Sequence, residues 1–487
     1  MRRTAWLLGG LAALTILASG PEGARASGLD GPTIGSVLSG PAIRDPAALY
    51  WNPAQLGFFD RADLMVGAAF VAGRVGYTRE RRAAYQHEDG FEFAEPVRDL
   101  DPSKTGTADE ASAVPIAGSA DAFFVWPVIP RRASVGVGLY VPYAAPLKFP
   151  ADGAQRFALQ EVFLSVTRIA AGVGVRVHDA VSIGGSVSYE LGVASIKRVQ
   201  DFAAVDDFGD ALGRPPIDQP NDFGLDAPPS VRELQVLARP FSLTDATSHG
   251  VTFNVGVAIE PTRHTSVGLT YDHGSEADFR GDFALDLSDD FFTRDLAQNG
   301  LHYAPLVQGD GRLRINLPRR VNAGVLHALS DRWTLGLDVA WVQWSSLDAF
   351  RITLESPDLA QPELGLPSTS DVALPRNWQD AVHAQVHVRD QVRPSLWWGA
   401  GLGYQSPASP DQTIDAASPD GHRLVFTGAL GWDATDSVSV LGDARLQVLL
   451  PRSVEDSDYD LGNGTYNLFI ALVGAHLRLR FGGGDEE

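Results

Sequence analysis

Apolar and polar residues alternate with a period of two along most of this chain, and no other feature restricts its fold as much. In 331–344, Trp333, Leu335, Leu337, Val339 and Trp341 alternate with Arg332, Thr334, Gly336, Asp338 and Ala340. Such alternation signals a strand with one apolar face. It recurs in fourteen segments: 63–79, 115–128, 132–147, 156–178, 180–200, 246–261, 264–285, 310–327, 332–356, 375–389, 392–407, 420–433, 436–451 and 465–481. Most are longer than the about 5–6 residues of a globular strand and long enough for a tilted strand to cross a bilayer, about 9–11 residues. The connections alternate too. Short ones at 177–179, 260–263, 330–331 and 433–436 are interleaved with long ones at 80–114, 200–245, 286–309, 356–374, 408–419 and 452–464. A β-sandwich gives no reason for this; a transmembrane barrel, with short periplasmic turns and long outer loops, does.

The start of the chain reads as a secretory signal. Arg2 and Arg3 precede the apolar stretch Trp6 to Ala18, and Ala24-Arg25-Ala26 fits a cleavage site. Residues 1–26 are therefore set apart, and the mature chain is expected from Ser27. No later run of 18 apolar residues could form a spanning helix. With no cysteine, an exported chain draws its stability from a closed sheet or a core. The formal charge of −21 moves to near −23 when three Arg and one Glu of residues 1–26 are removed. That excess excludes nucleic acid as a natural partner, since phosphate binding needs a basic face, and disfavours docking on an anionic inner leaflet.

These features predict an all-β protein: a 14-stranded antiparallel transmembrane β-barrel over 62–481, in the outer membrane of a Gram-negative cell. Residues 482–487 are expected as a disordered tail, and 27–61 stand before the barrel as a separate segment. Trp126, Tyr140, Tyr143, Trp333, Trp341, Trp344, Trp378, Trp397 and Trp398 lie near segment ends, as interfacial girdles would. Two long loops carry helix signals. One is the capping box Ser230-Val231-Arg232-Glu233, opening a helix to about Arg239; the other runs from Ser288 to Asn299-Gly300. Leu234 and Leu237 form an apolar stripe on the first, and Phe291, Phe292 and Leu296 on the second. They offer either loop packing or a greasy landing groove for a ligand.

Before the first strand stands Asp45-Pro46-Ala47-Ala48-Leu49-Tyr50-Trp51-Asn52-Pro53-Ala54. This segment resembles the FadL/TodX family of outer-membrane transporters of hydrophobic compounds, whose N-terminal plug carries an Asn-Pro-Ala signature. The likeness continues in order through Gly138 to Tyr143, Ala194 to Arg198, Phe279-Arg280-Gly281, Leu317-Pro318, Trp341 to Trp344, Asn377 to Asp380 and Ser406 to Asp411. It implies a fourteen-stranded barrel with residues 27–61 inside the lumen as a hatch or plug. Such a barrel takes a hydrophobic ligand from its outer loops into an internal pocket and releases it sideways through the wall. On this likeness Asn52, Pro53 and Ala54 are the hatch motif. Leu29 matches an apolar residue that occupies part of the pocket, and Arg198 a basic residue that contacts the ligand carboxylate. Pro142, Ala144 and Pro146 mark the expected wall opening, with Ala144 where the family has a glycine. The loop at 356–374 lacks Lys and Arg, so a second carboxylate contact is not expected there.

The residues support a lumen position for Arg198. Val181, Ile183, Val187, Tyr189, Leu191 and Val193 form one face, leaving Ser182, Ser186, Glu190 and Arg198 on the other. A guanidinium in a narrow, partly dry lumen can hold a carboxylate bidentately, or can simply pair with Glu190. His383 and His387 are about 13 Å apart along a strand, too far to share a zinc ion, so no metal is expected, and no cofactor. No nucleophile elbow or triad order points to an enzyme. The expected activity is passive, ligand-gated transport of long-chain fatty acids or aromatic hydrocarbons. The expected surroundings are outer-membrane lipid, lipopolysaccharide and the barrel-assembly machinery. The alternative is a barrel acting as scaffold or carrier in a secretion or envelope assembly, and a general aqueous porin is a third reading. Transport requires an apolar lumen pocket and scaffolding does not.

Overall fold

In the computed structural model, residues 34–80, 82–87, 90–96, 110–201, 238–295, 297–300, 302–362, 367–457 and 462–482 are described. The signal peptide, Leu29, Leu234, Leu237, Leu296 and the tail beyond Gly482 lie outside them.

Fourteen antiparallel strands close into one barrel. They are β1 (Ala62–Arg79), β2 (Glu110–Ala113 and Ile116–Ile129), β3 (Ala133–Ala144 and Leu147–Lys148), β4 (Glu161–His178), β5 (Val181–Asp201), β6 (Ala238–Thr262) and β7 (Thr265–Asp272 and Ser275–Asp286). They continue as β8 (Leu306–Leu317 and Arg320–Ala328), β9 (Trp333–Val342 and Ala349–Glu355), β10 (Thr369–Pro375 and Ala381–Arg393), β11 (Leu396–Gln405), β12 (Arg423–Thr435), β13 (Val438–Leu449 and Arg452–Val454) and β14 (Gly464–Phe481). Each pairs with its neighbours in sequence, and β1 pairs with β14 along the full 18 residues of both, from Ala62↔Phe481 to Arg79↔Gly464. Closure joins the two outer edges of the sheet, which a sheet in lipid requires because hydrocarbon offers backbone groups no hydrogen bonds. Both ends of the wall sit at the rim of short turns (130–132, 179–180, 263–264, 394–395, 436–437). A two-stranded hairpin, Arg82–His87 and Gly90–Pro96, rises from the opposite rim.

The alternation sorts the side chains as expected. On β5, Ile183, Val187 and Tyr189 are exposed on the outside while Ser182, Ser186, Ser188 and Glu190 are buried within. On β14, Phe469, Val473, Leu477 and Phe481 point out and His476 points in. Several expectations need correction. Arg239 belongs to β6 rather than to a helix, because the β5–β6 ladder reaches Ala238↔Asp201. Residues 156–160 form turns before β4, since Gln155 O accepts from the N–H groups of Ala158 and Leu159. Only short turns follow Ser288, a π-type turn Phe291–Asp295 and a 3-10 turn Ala297–Asn299. Among the expected girdle aromatics, Trp126, Trp341 and Trp398 face outward. Tyr140, Tyr143, Trp344 and Trp378 are buried inside, where Trp344 and Trp378 meet edge to face at 5.1 Å.

Residues 34–61 lie inside the ring. Helix α1 (Ala48–Trp51) leads into a 3-10 helix, Pro53–Phe58, all six residues of which are buried. Asn52, fully buried, caps this turn by accepting from Ala54 N–H at 3.1 Å, while its amide donates to Pro41 O (2.9 Å) and to Val257 O of the wall (3.0 Å). Proline at the next position suits a first helical turn, where its missing N–H is not needed. Wall side chains complete the fastening. Asn254 donates to Tyr50 O, Thr270 to Trp51 O and Ser266 to Ala42 O; Asp121 accepts from Gly35 N–H and Asp443 from Val37 N–H, all between 2.5 and 3.0 Å. The plug comes this close because inward glycines floor the wall beneath it. A Cβ on Gly184 would stand 2.5 Å from Ala54 N, and one on Gly174 2.6 Å from Pro53 O; Gly256 and Gly268 likewise have no room beside Asn52 and Pro41.

Because the contact is backbone against backbone, Gly184→Val should displace the plug without opening the wall. The expected result is a marked rise in small-solute leakage in liposomes. Gly428→Val, at a position with nothing within 4 Å of the added Cβ, should leave leakage unchanged.

Candidate functional site

Above the plug the interior is apolar. Phe241 and Leu243 of β6, Phe279, Phe283 and Leu285 of β7, and Leu313, Ile315 and Leu317 of β8 turn inward. They pack with Trp344, Leu347 and Trp378, which fill the interruptions of β9 and β10. The outer loop between β7 and β8 adds Leu287 and Phe292, the latter 1% exposed. A second apolar cluster, including Val71, Leu147, Phe149, Tyr466, Leu468, Ile470 and Leu472, covers the opposite wall. Val162 and Ile196 touch both clusters. Between these surfaces and the plug lies a cavity of mixed lining: Tyr50, Trp51, Val71, Pro142, Ala340 and Leu472 are joined by Arg320, Arg445, Asp338, Asn322, His383 and the amides of Gln385, Gln405 and Gln447.

Arg198 stands at the rim of the first cluster, its guanidinium 5.9 Å from the ring of Phe241. One terminal nitrogen donates to Gln200, while Nε is buried with no partner among the described residues. It does not pair with Glu190. That carboxylate is taken by Arg168 of β4, which donates from Nε to Glu190 at 2.8 Å and from Nη1 to Asp272 of β7 at 2.9 Å. All three side chains are at most 7% exposed, and Tyr143 lies over the guanidinium at 5.7 Å. The Arg168 cluster thus ties β4, β5 and β7 together just above the plug, and it carries one more carboxylate than cation.

The ladder between β2 and β3 is broken part-way along the wall. The β2–β3 pairing runs from Ile129↔Ala133 only to Ala122↔Leu139. Beyond it, β2 pairs with β1 alone. β3 leans to β4 with a register shift between Tyr140 and Tyr143, and is interrupted at 145–146 before Leu147 rejoins at Val162. Pro142, which cannot donate to a ladder, and Pro146 lie along this stretch; between them Ala144 is paired with Ser165 of β4 and Ala145 exchanges backbone hydrogen bonds with Leu164.

The match to known proteins follows this architecture. The family model described as outer membrane protein transport protein (OMPP1/FadL/TodX) matches residues 24–462. The chain belongs to this family. It is 23% identical over 449 residues to outer membrane protein P1 of Haemophilus influenzae, covering 90% of this chain and 89% of that protein. Its fold is that of a Pseudomonas aeruginosa FadL homologue (TM-score 0.73, 18% identity, 95% of this chain and 99% of that one). It also matches the Pseudomonas putida toluene transporter TodX (TM-score 0.61, 16% identity, 90% and 95%). As a member of the OMPP1/FadL/TodX family the chain is a Gram-negative outer-membrane protein, and the family is one of transport proteins rather than enzymes.

Within this family frame the structure unites some of the residues singled out from sequence. Asn52, Pro53 and Ala54 sit at the centre of the plug, Phe292 joins the apolar cluster that Arg198 borders, and Pro142, Ala144 and Pro146 gather at the broken ladder. Phe291 opens the π-type turn beside Phe292. Sequence reasoning missed Arg168 and Asp272. The only signal for Arg168 was its parity with Val166 and Ala170, partly hidden where Ala170, Ala171 and Gly172 blur the alternation.

Removing one member of a buried charge cluster strands the others. Arg168→Met should cost about 3–5 kcal/mol, read as a lower midpoint of denaturant unfolding. Adding Glu190→Gln and Asp272→Asn should recover most of that loss.

Proposed function

We propose that the protein carries hydrophobic small molecules, long-chain fatty acids or aromatic hydrocarbons, passively across the outer membrane. The observation that carries this reading is the apolar interior above the plug. A water-filled porin lines its lumen with polar side chains, and a scaffold has no use for buried Phe279, Phe283, Trp344 and Trp378. Ligand would land among the outer loops, close to where the β7–β8 loop sends Phe292 into the apolar cluster. It would then pass to the chamber beside Arg198 and on toward the plug. In this reading the plug yields when ligand binds, and the ligand leaves sideways between β2 and β3 at Pro142, Ala144 and Pro146. Such an exit spares an apolar molecule from crossing the charged lower lumen.

Arg198 is the residue for an anionic head. A buried N–H without a partner beside an apolar wall suits a carboxylate followed by a hydrocarbon chain, and a hydrogen bond between charged groups is stronger than a neutral one. Lipopolysaccharide and lipid would surround the barrel, and the outward Phe481 would serve the barrel-assembly machinery as the terminal aromatic.

Arg198→Ala should weaken binding of a labelled long-chain fatty acid about tenfold and slow its uptake, while toluene binding stays unchanged. Equal fatty-acid affinity in the two proteins would remove Arg198 from the binding site. Saturable binding of neither ligand would defeat the transport reading.

A further inference from the structure

Although the chain is strongly acidic, at −21, the short-turn mouth of the barrel holds a concentration of guanidinium groups. A basin there is lined by Arg44, Arg61, Arg131, Arg176, Arg478 and Arg480, against three carboxylates, Asp60, Asp63 and Glu260. Each carboxylate is already matched: Arg478 forks onto Asp63 at 2.6–3.0 Å, Arg131 meets Asp60 at 3.1 Å, and Arg44 pairs with Glu260. Arg61, Arg176 and Arg480 remain. Arg61 has no carboxylate within 4.0 Å among the described residues. Arg480 reaches the Asp433 carboxylate only at 3.7 Å and Asp436 O at 3.5 Å; Arg176 donates from Nε and Nη2 to Asp179 O but reaches the fully exposed Asp179 carboxylate only at 3.9 Å.

The basin is also held in shape. The ring of Phe58 lies 4.9 Å from the Arg44 guanidinium and 5.4 Å from that of Arg176, so stacking fixes one arginine of the plug and one of the wall. Arg44 is held below its usual range first by burial, and Arg176 and Arg131 push it further against the pull of Glu260 and Asp60. One face of the basin is plug and its root (Arg44, Phe58, Phe59, Arg61). The other is wall (Arg131, Arg176, Arg478, Arg480). Guanidinium forks match the oxygens of phosphate and carboxylate groups, and a lining of six guanidinium groups against three carboxylates suits a ligand with more than one negative charge.

We propose that this basin is a binding site for a compact polyvalent oxyanion arriving from the periplasmic side, held by Arg61, Arg176 and Arg480 and bridging plug to wall. The site is separate from the apolar chamber and does not depend on which molecule that chamber carries. Two sources supply the chemistry: a soluble phosphate compound, or the acidic residues Asp485, Glu486 and Glu487 that follow Gly482 in the sequence.

Calorimetric titration of the detergent-solubilised barrel with inorganic pyrophosphate, in about 0.15 M salt to screen loose surface attraction, tests this. Wild type should bind saturably. Arg61→Gln, Arg176→Gln and Arg480→Gln should each weaken binding about tenfold, and Arg393→Gln, at an exposed turn of the same rim, should not. A chain ending at Gly482 separates the sources: equal binding points to a soluble anion, and binding seen only after truncation points to the acidic segment as occupant. No saturable binding in either chain, or equal weakening by Arg393→Gln, would overturn the site.

Discussion

The ladder between β1 and β14 is the constraint on which everything else rests. Inside hydrocarbon an unpaired N–H or C=O costs several kcal/mol, so a sheet of this length is tenable in a membrane only as a closed ring. Closure fixes which face of each strand meets lipid, and from that comes the period-two pattern, with Val187 and Leu477 outward, Ser186 and His476 inward. It also encloses a volume whose chemistry can differ from both lipid and water, and the chain fills the two halves of that volume oppositely. The loop half is lined with Phe, Leu and Trp; the turn half is crowded with arginine and aspartate. The plug divides them.

The plug is held at that division from several sides. Its fastenings are hydrogen bonds from Asn254, Thr270, Ser266, Asp121 and Asp443 to its backbone, and its seat is the bare main chain at Gly174 and Gly184. Side chains add to both: Leu49, Tyr50, Leu56 and Phe59 of the plug cluster with Phe123, Val125 and Tyr140 of the wall. Asn52 serves both the plug's own turn and the wall. The Asn-Pro-Ala signature is therefore a joint: the amide bridges, the proline starts the turn, and the alanine is small enough to lie against a glycine.

Much of the fold was legible because its rule is local. Each strand of Leu335, Leu337, Val339 type announces its own two faces, and loop lengths report on which side of the membrane they lie. The interior was less legible because its contacts span the chain. Arg168, Glu190 and Asp272 come from three strands, and nothing around Arg168 marks its partners. Trp344 and Trp378 read as girdle residues because they stand near segment ends; only the interruptions in β9 and β10 turn them inward. Arg198 was placed in the lumen by parity, yet whether Glu190 was its partner depended on Arg168, which a strand-by-strand reading does not connect to it. The basic basin escaped notice because its arginines come from distant parts of the chain: Arg44 and Arg61 before the first strand, Arg131 in a turn, Arg176 on β4, and Arg478 and Arg480 on β14.

The pairing Ala62↔Phe481 has a consequence in time. It joins residues at the two extremes of the wall, so the last seam can form only after the entire chain has been delivered. Contacts of such sequence separation are the slow ones in folding. Until then β1 and β14 are both raw edges, open to pairing with any other strand. Occupying those edges, rather than any property of the finished barrel, is therefore the vulnerable interval in this protein's life.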